Sequence, residues 1–208
     1  MKLEPARPSD RIHRFLEEAD RWIDRFFEQK RNRRLPRYIP SDPLLVYSAL
    51  NYIEAHQLAL GKTFCEWGSG FGVSTGLASL LGYQAYGIEI QEELHERAVE
   101  LAKSERIDAQ FLNNSYLPEG FEFYEGHGTN RLIAPSDLKR RQRSLAYSLQ
   151  YEEMDIEIEE IDIFYVYPWP EEQELMLELF DAVAAEDALL LAYFGPGDIS
   201  LFRKYLDD

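Results

Sequence analysis

The segment Glu66-Trp67-Gly68-Ser69-Gly70-Phe71-Gly72 combines an acid with three glycines that recur at every second position. Glycine adopts backbone conformations that other residues avoid, and it lets a bound molecule approach the main chain closely. The acid favours a ligand with a positive charge, because a carboxylate attracts an ammonium or sulfonium group and repels a phosphate. The segment therefore predicts a binding loop for a small molecule that carries a cationic group.

A second acid, Glu89, follows these glycines by about 20 residues, near the end of the apolar run 87–90. At this spacing in a strand-helix-strand unit, an acid commonly accepts hydrogen bonds from the two hydroxyls of a ribose. We expect Glu89 to bind a ribose and Ile90 beside it to pack against a nucleoside base. For Glu89 taken alone, the alternative is an ordinary surface acid.

The glycine spacing distinguishes two kinds of nucleotide site. A dinucleotide fingerprint reads G-x-G-x-x-G, whereas here Val73 stands where the third glycine belongs and Gly72 comes one place too early. The observed order, acid-x-G-x-G-x-G, resembles the signature of class I S-adenosylmethionine-dependent methyltransferases. A nicotinamide-dependent oxidoreductase is an alternative that the same spacing disfavours.

This resemblance implies an enzyme that transfers a methyl group from S-adenosylmethionine and releases S-adenosylhomocysteine. In the family the first acid and the glycine loop lie near the methionine part, the second acid binds the ribose, and a polar residue after the third strand reaches the adenine. The implied cofactor contacts are Glu66, Gly68, Ser69, Gly70, Gly72, Glu89, Ile90, Asn114 and Ser115. Asn114 and Ser115 fit an ordinary turn equally well, since Asn and Ser favour turns.

Upstream of the glycine loop, Tyr38-Ile39-Pro40-Ser41 resembles an aromatic-x-Pro-Ser/Thr loop of the non-SET protein lysine methyltransferases. In those proteins the loop lies over the methionine end of the cofactor. The resemblance therefore implies a further cofactor contact by Tyr38.

The segment Tyr167-Pro168-Trp169-Pro170 follows the fourth predicted strand, where the loop of the family faces the departing methyl group. Its placement is similar to the Asn/Asp-Pro-Pro-aromatic motif of enzymes that methylate amide or exocyclic amine nitrogens. Tyr167 replaces the amide or acid, which argues against nucleic-acid and glutamine acceptors. Tyr167 and Trp169 could instead wall a pocket for an amine through cation–π contact. The alternative is a proline-rich strand end with a packed aromatic residue.

The formal net charge of −16 also argues against a nucleic-acid acceptor, because phosphate binding depends on a basic surface. Two basic clusters, at 31–37 and 139–143, depart from this balance. They are either solvated faces with local ion pairs or the edge of a site for an acidic partner. We expect a protein lysine or a small amine as the methyl acceptor. The alternative from another class is a non-catalytic module that binds S-adenosylmethionine or a partner protein.

Other classes of site have no support in the sequence. The four histidines, His13, His56, His95 and His127, lack the spacing of metal ligands, so we expect no metal. No apolar run approaches the roughly 20 residues that span a bilayer, and the first residues lack the apolar core of a signal peptide. We expect a cytoplasmic protein without membrane contact.

Apolar strands alternate with amphipathic helices, which predicts an α/β fold with a parallel sheet covered on both faces. The resemblance implies that this sheet is Rossmann-like, doubly wound and mostly parallel. We expect five strands in the order 3-2-1-4-5 and a last short helix over 199–206. The family usually adds a helix and a C-terminal antiparallel hairpin, which we do not expect because only residues 196–208 remain. The bare edge of strand five would then be covered by the N-terminal helix or by a second subunit in a homodimer.

The expected organisation is an N-terminal arm over 1–37 and a cofactor-binding domain over 38–208. The arm holds an amphipathic helix, capped by Ser9 or Asp10 and running to about Gln29, and then the basic linker. Weak periodicity over 117–150 predicts a long insertion, with a short helix near 145–151.

Overall fold

The chain folds around one six-stranded sheet with the strand order β3-β2-β1-β4-β5-β6. The computed structural model describes residues 6–30, 38–118, 121, 151 and 153–205. The strands are β1 Thr63–Trp67, β2 Gln84–Ile88, β3 Ala109–Leu112, β4 Ile163–Val166, β5 Leu189–Gly195 and β6 Asp198–Arg203. The helices are α1 Asp10–Gln29, α2 Pro43–Ala55, α3 Val73–Leu80, α4 Glu92–Glu105 and α5 Gln173–Val183.

The five strands β1 to β5 are parallel and have the predicted order 3-2-1-4-5. From β1 the chain adds β2 and β3 on one side and β4 and β5 on the other, so the strand order reverses between β1 and β4. Ligands of such sheets bind at this point, beyond the carboxyl ends of the strands. Glu66 in β1 lies opposite Gly87 in β2 on one side and Tyr165 in β4 on the other. The predicted acid is therefore at the reversal point.

Both faces of the sheet are covered, as the apolar strands require. On one face, Phe164 and Leu190 pack against Leu179 of α5. On the other, Phe64 and Leu191 pack in one cluster with Leu50 of α2. The helices therefore hold the central strands rigid from both sides.

Helix α1 begins and ends where the sequence predicts. The Ser9 hydroxyl caps it by accepting a hydrogen bond from the Ile12 N–H at 3.4 Å. Its apolar stripe packs on α3 and α4, with Phe15 in the same cluster as Leu77 and Leu101. The helix thus lies over the glycine loop side of the sheet.

Helix α2 has a sharper start. The Asp42 carboxylate accepts hydrogen bonds from the N–H groups of Leu44 and Leu45, at 2.9 and 3.2 Å. Pro43 occupies the first helical position, where its missing N–H costs nothing. The segment Tyr38–Ser41 immediately precedes this cap.

The predicted C-terminal helix over 199–206 and the five-stranded sheet are wrong, because Asp198–Arg203 forms β6, antiparallel to β5. Gly197, with φ +77°, makes the tight turn that reverses the chain. Ile199 is buried and Leu201 half-buried at alternate positions, with Ile199 opposite Tyr193. Six residues are too few to distinguish this alternation from a helical pattern, and the open backbone of β5 decides the outcome.

Strand β6 covers the edge of β5 for which we expected the N-terminal helix or a second subunit. An exposed edge of β5 therefore no longer supports the predicted homodimer. Within the described residues, one strand and no helix follows β5, so the two-stranded hairpin of the family is replaced by a single strand.

Some predictions lie outside the described residues. These are the basic cluster at 31–37, the basic cluster at 139–143, the helix near 145–151 except for its last residue, and most of the insertion at 117–150. In the part of the chain that the structure describes, no helix is long and apolar enough to cross a membrane.

Candidate functional site

The glycine loop between β1 and α3 turns back toward β2. All three glycines have positive φ, +76° at Gly68, +53° at Gly70 and +71° at Gly72. The N–H groups of Gly68 and Ser69 both donate to the Ile88 carbonyl at 2.9 Å. The loop is therefore anchored to the end of β2, and its fold requires residues that tolerate left-handed backbone.

Position 70 also leaves no space for a side chain larger than that of glycine. A Cβ at this position would come within 2.4 Å of the Tyr38 ring. The ring packs edge-on against Phe71, with centroids 5.1 Å apart, and stacks on Phe27 at 6.1 Å. The predicted Tyr38 loop thus closes directly over the glycine loop, and burial raises the pKa of the Tyr38 hydroxyl, with the Glu66 charge adding to the effect.

Glu89 connects the two motifs that the sequence suggested. One carboxylate oxygen accepts a hydrogen bond from the Gly70 N–H at 2.9 Å, and the other accepts one from the Gln91 N–H at 2.8 Å. The Asn113 side chain donates to the Glu89 carbonyl at 2.8 Å. Burial raises the pKa of Glu89, and the bonds from Gln91 and Gly70 oppose that rise. The carboxylate is thus held in one position before any ligand binds.

Glu66 is buried at the end of β1 and is fixed by the first turn of α3. One of its oxygens accepts hydrogen bonds from the Thr75 N–H at 2.9 Å and from the Thr75 hydroxyl at 2.6 Å. Burial raises the pKa of Glu66 to about 7, against the opposing effect of the Thr75 bonds and the Ser74 hydroxyl. Near neutral pH this group can gain or lose a proton in response to a bound charge.

These groups open into one cavity of about 890 Å³ at the carboxyl edge of the sheet. That volume suits a nucleoside-sized ligand. Among the described residues, no Lys or Arg lines the cavity, whereas five carboxylates do. They are Asp20, Glu66, Glu89, Glu93 and Glu172. The cavity therefore favours a cation and disfavours a phosphate.

The loop after β4 forms the opposite wall. Tyr167 and Trp169 are both half-buried and line the cavity, together with Pro168 and Pro170. The Tyr167 ring meets Tyr193 edge-on, with centroids 4.7 Å apart. The described residues of this wall are thus mostly aromatic side chains and prolines.

The remaining predicted residues have different surroundings. Ile90 lines the cavity with 66% of its surface exposed, so a large apolar side chain is open to a ligand. Asn114 and Ser115 are not among the described residues that line the cavity. The Asn114 side chain accepts from the Ser115 N–H at 2.7 Å, and the Ser115 hydroxyl accepts from the Leu117 N–H at 3.1 Å. Both side chains thus make local turn contacts.

Sequence reasoning missed several residues of the cavity. Asp20 and Ile23 reach it from α1, and Tyr165 and Ser74 reach it from β4 and α3. Only the pairing of β4 with β1 could have indicated Tyr165, because side chains directly opposite each other in neighbouring strands share a face. In the described part of the chain, no group of three His, Cys, Asp or Glu side chains could hold a metal ion.

Comparison with solved structures identifies the fold. A protein from Plasmodium falciparum, proposed to be a protein-L-isoaspartate O-methyltransferase and in complex with S-adenosylhomocysteine, is 12% identical with a TM-score of 0.50, over 95% of this chain and 84% of that chain. At this identity the likeness concerns the fold alone. The chain has the Rossmann-like fold of the class I S-adenosylmethionine-dependent methyltransferases.

Two other solved structures match with lower scores. An RNA methyltransferase from Salinibacter ruber is 13% identical, with a TM-score of 0.49, over 80% of this chain and 92% of that chain. An O-methyltransferase from Bacillus cereus is 12% identical, with a TM-score of 0.49, over 89% of this chain and 66% of that chain. No protein-family model matches the sequence, and no curated protein does.

Proposed function

We propose that the protein binds S-adenosylmethionine and transfers its methyl group to an amine. The observation that carries this proposal is the hydrogen bond from the Gly70 N–H to Glu89, which joins the glycine loop and the second acid at the mouth of a carboxylate-lined cavity. A sulfonium cofactor suits such a cavity, whereas the pyrophosphate of a dinucleotide would be repelled by the five carboxylates among the described lining residues. The Plasmodium protein of the same fold binds S-adenosylhomocysteine.

The residues present fit this cofactor. Glu89 would accept from the ribose hydroxyls, because each of its oxygens keeps a second lone pair beyond its backbone bond. Ile90 would cover the adenine, and Gly68 with Ser69 would hold the methionine part. Glu66 would attract the ammonium group, beneath the Tyr38 loop. Asn114 and Ser115 stay predictions for the adenine end.

On the acceptor side, the chain would bind and orient an amine and exclude water. Tyr167 and Trp169 are aromatic side chains of the lining, of the kind that binds a cation, and Asp20 and Glu172 add carboxylates to the same cavity. The bound cofactor would supply an already activated methyl group. Positioning and desolvation of the acceptor would then provide most of the catalysis. The absence of basic residues from the described lining supports a protein lysine or a small amine over nucleic acid.

The organisation proposed with this function is a cofactor-binding domain over 38–208 and an N-terminal arm over 1–37. The cytoplasmic location and a homodimer stay predictions.

The alternative function is a non-catalytic module that binds the cofactor. It is favoured by Tyr167, which stands where related loops carry an amide or acid to engage the acceptor.

Calorimetric titration with S-adenosylmethionine, S-adenosylhomocysteine and NAD tests the proposal. We expect micromolar binding of the first two and none of NAD. The Glu89→Ala variant should weaken the binding at least about tenfold, since hydrogen bonds to a charged group contribute about 1.5–3 kcal/mol each. The matched control is Glu93→Ala, another cavity carboxylate that is half-exposed and paired with Lys30. It should change the affinity less than about threefold.

Binding of NAD alone, or of none of the three ligands, would refute the cofactor assignment. Turnover separates the enzyme from the alternative module. Formation of S-adenosylhomocysteine is measured with lysine peptides, small amines and RNA in parallel. We expect turnover with an amine, and no turnover with any acceptor would favour the non-catalytic module.

A further inference from the structure

The hydroxyl of Tyr165 is a buried polar group that makes no hydrogen bond within the described part of the protein. Tyr165 lies in β4, its exposed fraction is 1%, and it lines the cavity. No described group makes a hydrogen bond with its hydroxyl oxygen. A buried hydroxyl without a partner costs about 1–3 kcal/mol. An unpaired group of this kind at the wall of a binding cavity points to a ligand atom as the missing partner.

The surroundings of this hydroxyl determine what it can do. Burial raises the pKa of Tyr165, and the Glu66 charge adds to the effect, so the group stays protonated at any physiological pH. The hydroxyls of Ser41 and Ser74 lie near enough to influence it, without hydrogen-bond geometry. Tyr165 is therefore unsuited to act as a base. Its hydroxyl can donate one hydrogen bond and accept others, and no described group accepts from its O–H. Its missing partner is an acceptor.

The position beside Glu66 narrows the choice of acceptor. The two residues are direct partners in the β1–β4 pairing, so their side chains lie next to each other on one face of the sheet. Glu66 favours a positive group, and the Tyr165 hydroxyl seeks a group that accepts. A zwitterionic α-amino acid carries both, an ammonium and a carboxylate separated by one carbon atom.

We propose that Tyr165 donates a hydrogen bond to the α-carboxylate of the methionine part of the cofactor, while Glu66 attracts the α-ammonium group. This inference rests on the proposed function. It assigns Tyr165 to cofactor recognition and not to the acceptor, although Tyr165 is only two residues before Tyr167. In a cavity lined by carboxylates, a neutral hydroxyl donor offsets the repulsion that the ligand carboxylate would meet.

The test compares Tyr165→Phe with the wild type for four ligands. Two carry the carboxylate, S-adenosylmethionine and S-adenosylhomocysteine. Two lack it, 5′-methylthioadenosine and decarboxylated S-adenosylmethionine. Removal of the hydroxyl should weaken the first pair about tenfold, the usual effect of one hydrogen bond to a charged group, and the second pair less than about twofold. Tyr83→Phe is the matched control, since Tyr83 is a buried tyrosine between α3 and β2 that does not line the cavity. It should leave all four affinities unchanged.

Equal losses for all four ligands would assign Tyr165 a purely structural role and overturn the inference. An unchanged affinity for S-adenosylmethionine would do the same. If the variant does not fold, a crystal structure of the wild type with S-adenosylhomocysteine decides, because the α-carboxylate should lie within hydrogen-bond distance of the Tyr165 hydroxyl. A carboxylate out of reach of this hydroxyl would overturn the inference. Failure of the wild type to bind any of the four ligands would overturn the proposed function, and the inference with it.

Discussion

The carboxyl edge of the sheet has two halves that are built in different ways. In the half formed by β1 and β2, hydrogen bonds to backbone N–H groups fix both acids, Glu66 through Thr75 and Glu89 through Gly70 and Gln91. In the half formed by β4 and β5, aromatic rings and prolines form the wall, with Tyr167 against Tyr193. Directed hydrogen bonds thus fix the acids of the first half, whereas the packing of rings shapes the second half.

The difference has a physical consequence. Hydrogen bonds to fixed carboxylates depend on direction, so the first half should lose affinity steeply when one group moves. Aromatic faces tolerate small displacements of a cation, so the second half should affect the acceptor and leave the cofactor bound. Four changes test this contrast.

Gly70→Ala should have the largest effect on stability and cofactor affinity. It lies in the first half, at a position where both the backbone conformation and the available space require glycine. An alanine at φ +53° is strained, and its Cβ would meet the Tyr38 ring at 2.4 Å. We expect a loss of about 2–4 kcal/mol in the free energy of unfolding and at least a hundredfold loss of cofactor affinity. Urea denaturation and calorimetry measure the two.

The control for this change is Gly82→Ala, where φ is +85° and a Cβ would meet nothing within 4 Å. It should lower stability by about 1 kcal/mol and leave the cofactor affinity unchanged. Equal effects of the two variants on cofactor affinity would mean that backbone strain, and not the closed loop, governs binding.

Glu66→Gln should change stability in a pH-dependent way. The pKa of Glu66 is raised from 4.5 to about 7, so its neutral form is favoured in the folded protein. Its contribution is fully present below pH 4.5 and is lost as the pH rises through about 7. The variant should therefore gain about 3 kcal/mol over the wild type at pH 8 and less than about 1 kcal/mol at pH 5.

Urea denaturation of both proteins at the two pH values measures this difference. Glu89 also faces the cavity, and its charge helps to raise the pKa of Glu66. Removal of the Glu66 charge therefore also eases the ionisation of Glu89, which acts in the same direction at high pH. A stability difference that does not depend on pH would show that Glu66 is ionised throughout the range.

Ile90→Ala should weaken the cofactor about fivefold to tenfold without changing the stability of the free protein. The side chain is 66% exposed before binding, so its apolar surface is buried only by the ligand, at about 0.8 kcal/mol for each methylene. Leu60→Ala is the control, since Leu60 is 77% exposed and does not line the cavity. An unchanged affinity for the Ile90 variant would place the adenine elsewhere.

Trp169→Ala should have the smallest effect on the cofactor, less than about twofold in affinity, because Trp169 belongs to the second half. Its turnover with an amine acceptor should fall at least about tenfold, since an aromatic contact with a desolvated cation contributes about 2 kcal/mol. A large loss of cofactor affinity in this variant would show that the second half also binds the cofactor, and would contradict the division into two halves.

Much of the first half could be predicted from the sequence, because the residues that form it lie close together along the chain. The loop from Glu66 to Gly72 and the acid Glu89 lie within one strand-helix-strand unit, where spacing along the chain fixes spacing in the structure. The parallel sheet followed from the alternation of strands and helices, and its order 3-2-1-4-5 followed from the family resemblance. Helix α1 followed from its apolar stripe and the Ser9 cap.

The other features depend on contacts between distant parts of the chain. Strand β6 forms because β5 offers an open backbone, which the short segment Asp198–Arg203 does not reveal. Asp20 reaches the cavity only because α1 packs on α3 and α4. Tyr165 is apolar in pattern, and its unpaired hydroxyl becomes visible only once β4 lies beside β1.

The most direct measurement is a crystal structure of the protein with S-adenosylhomocysteine. We expect the ribose hydroxyls within hydrogen-bond distance of Glu89 and the homocysteine part against the glycine loop, between Glu66 and Tyr165. A ligand bound elsewhere, or a ribose that does not touch Glu89, would contradict the assignment of the first half as the cofactor site.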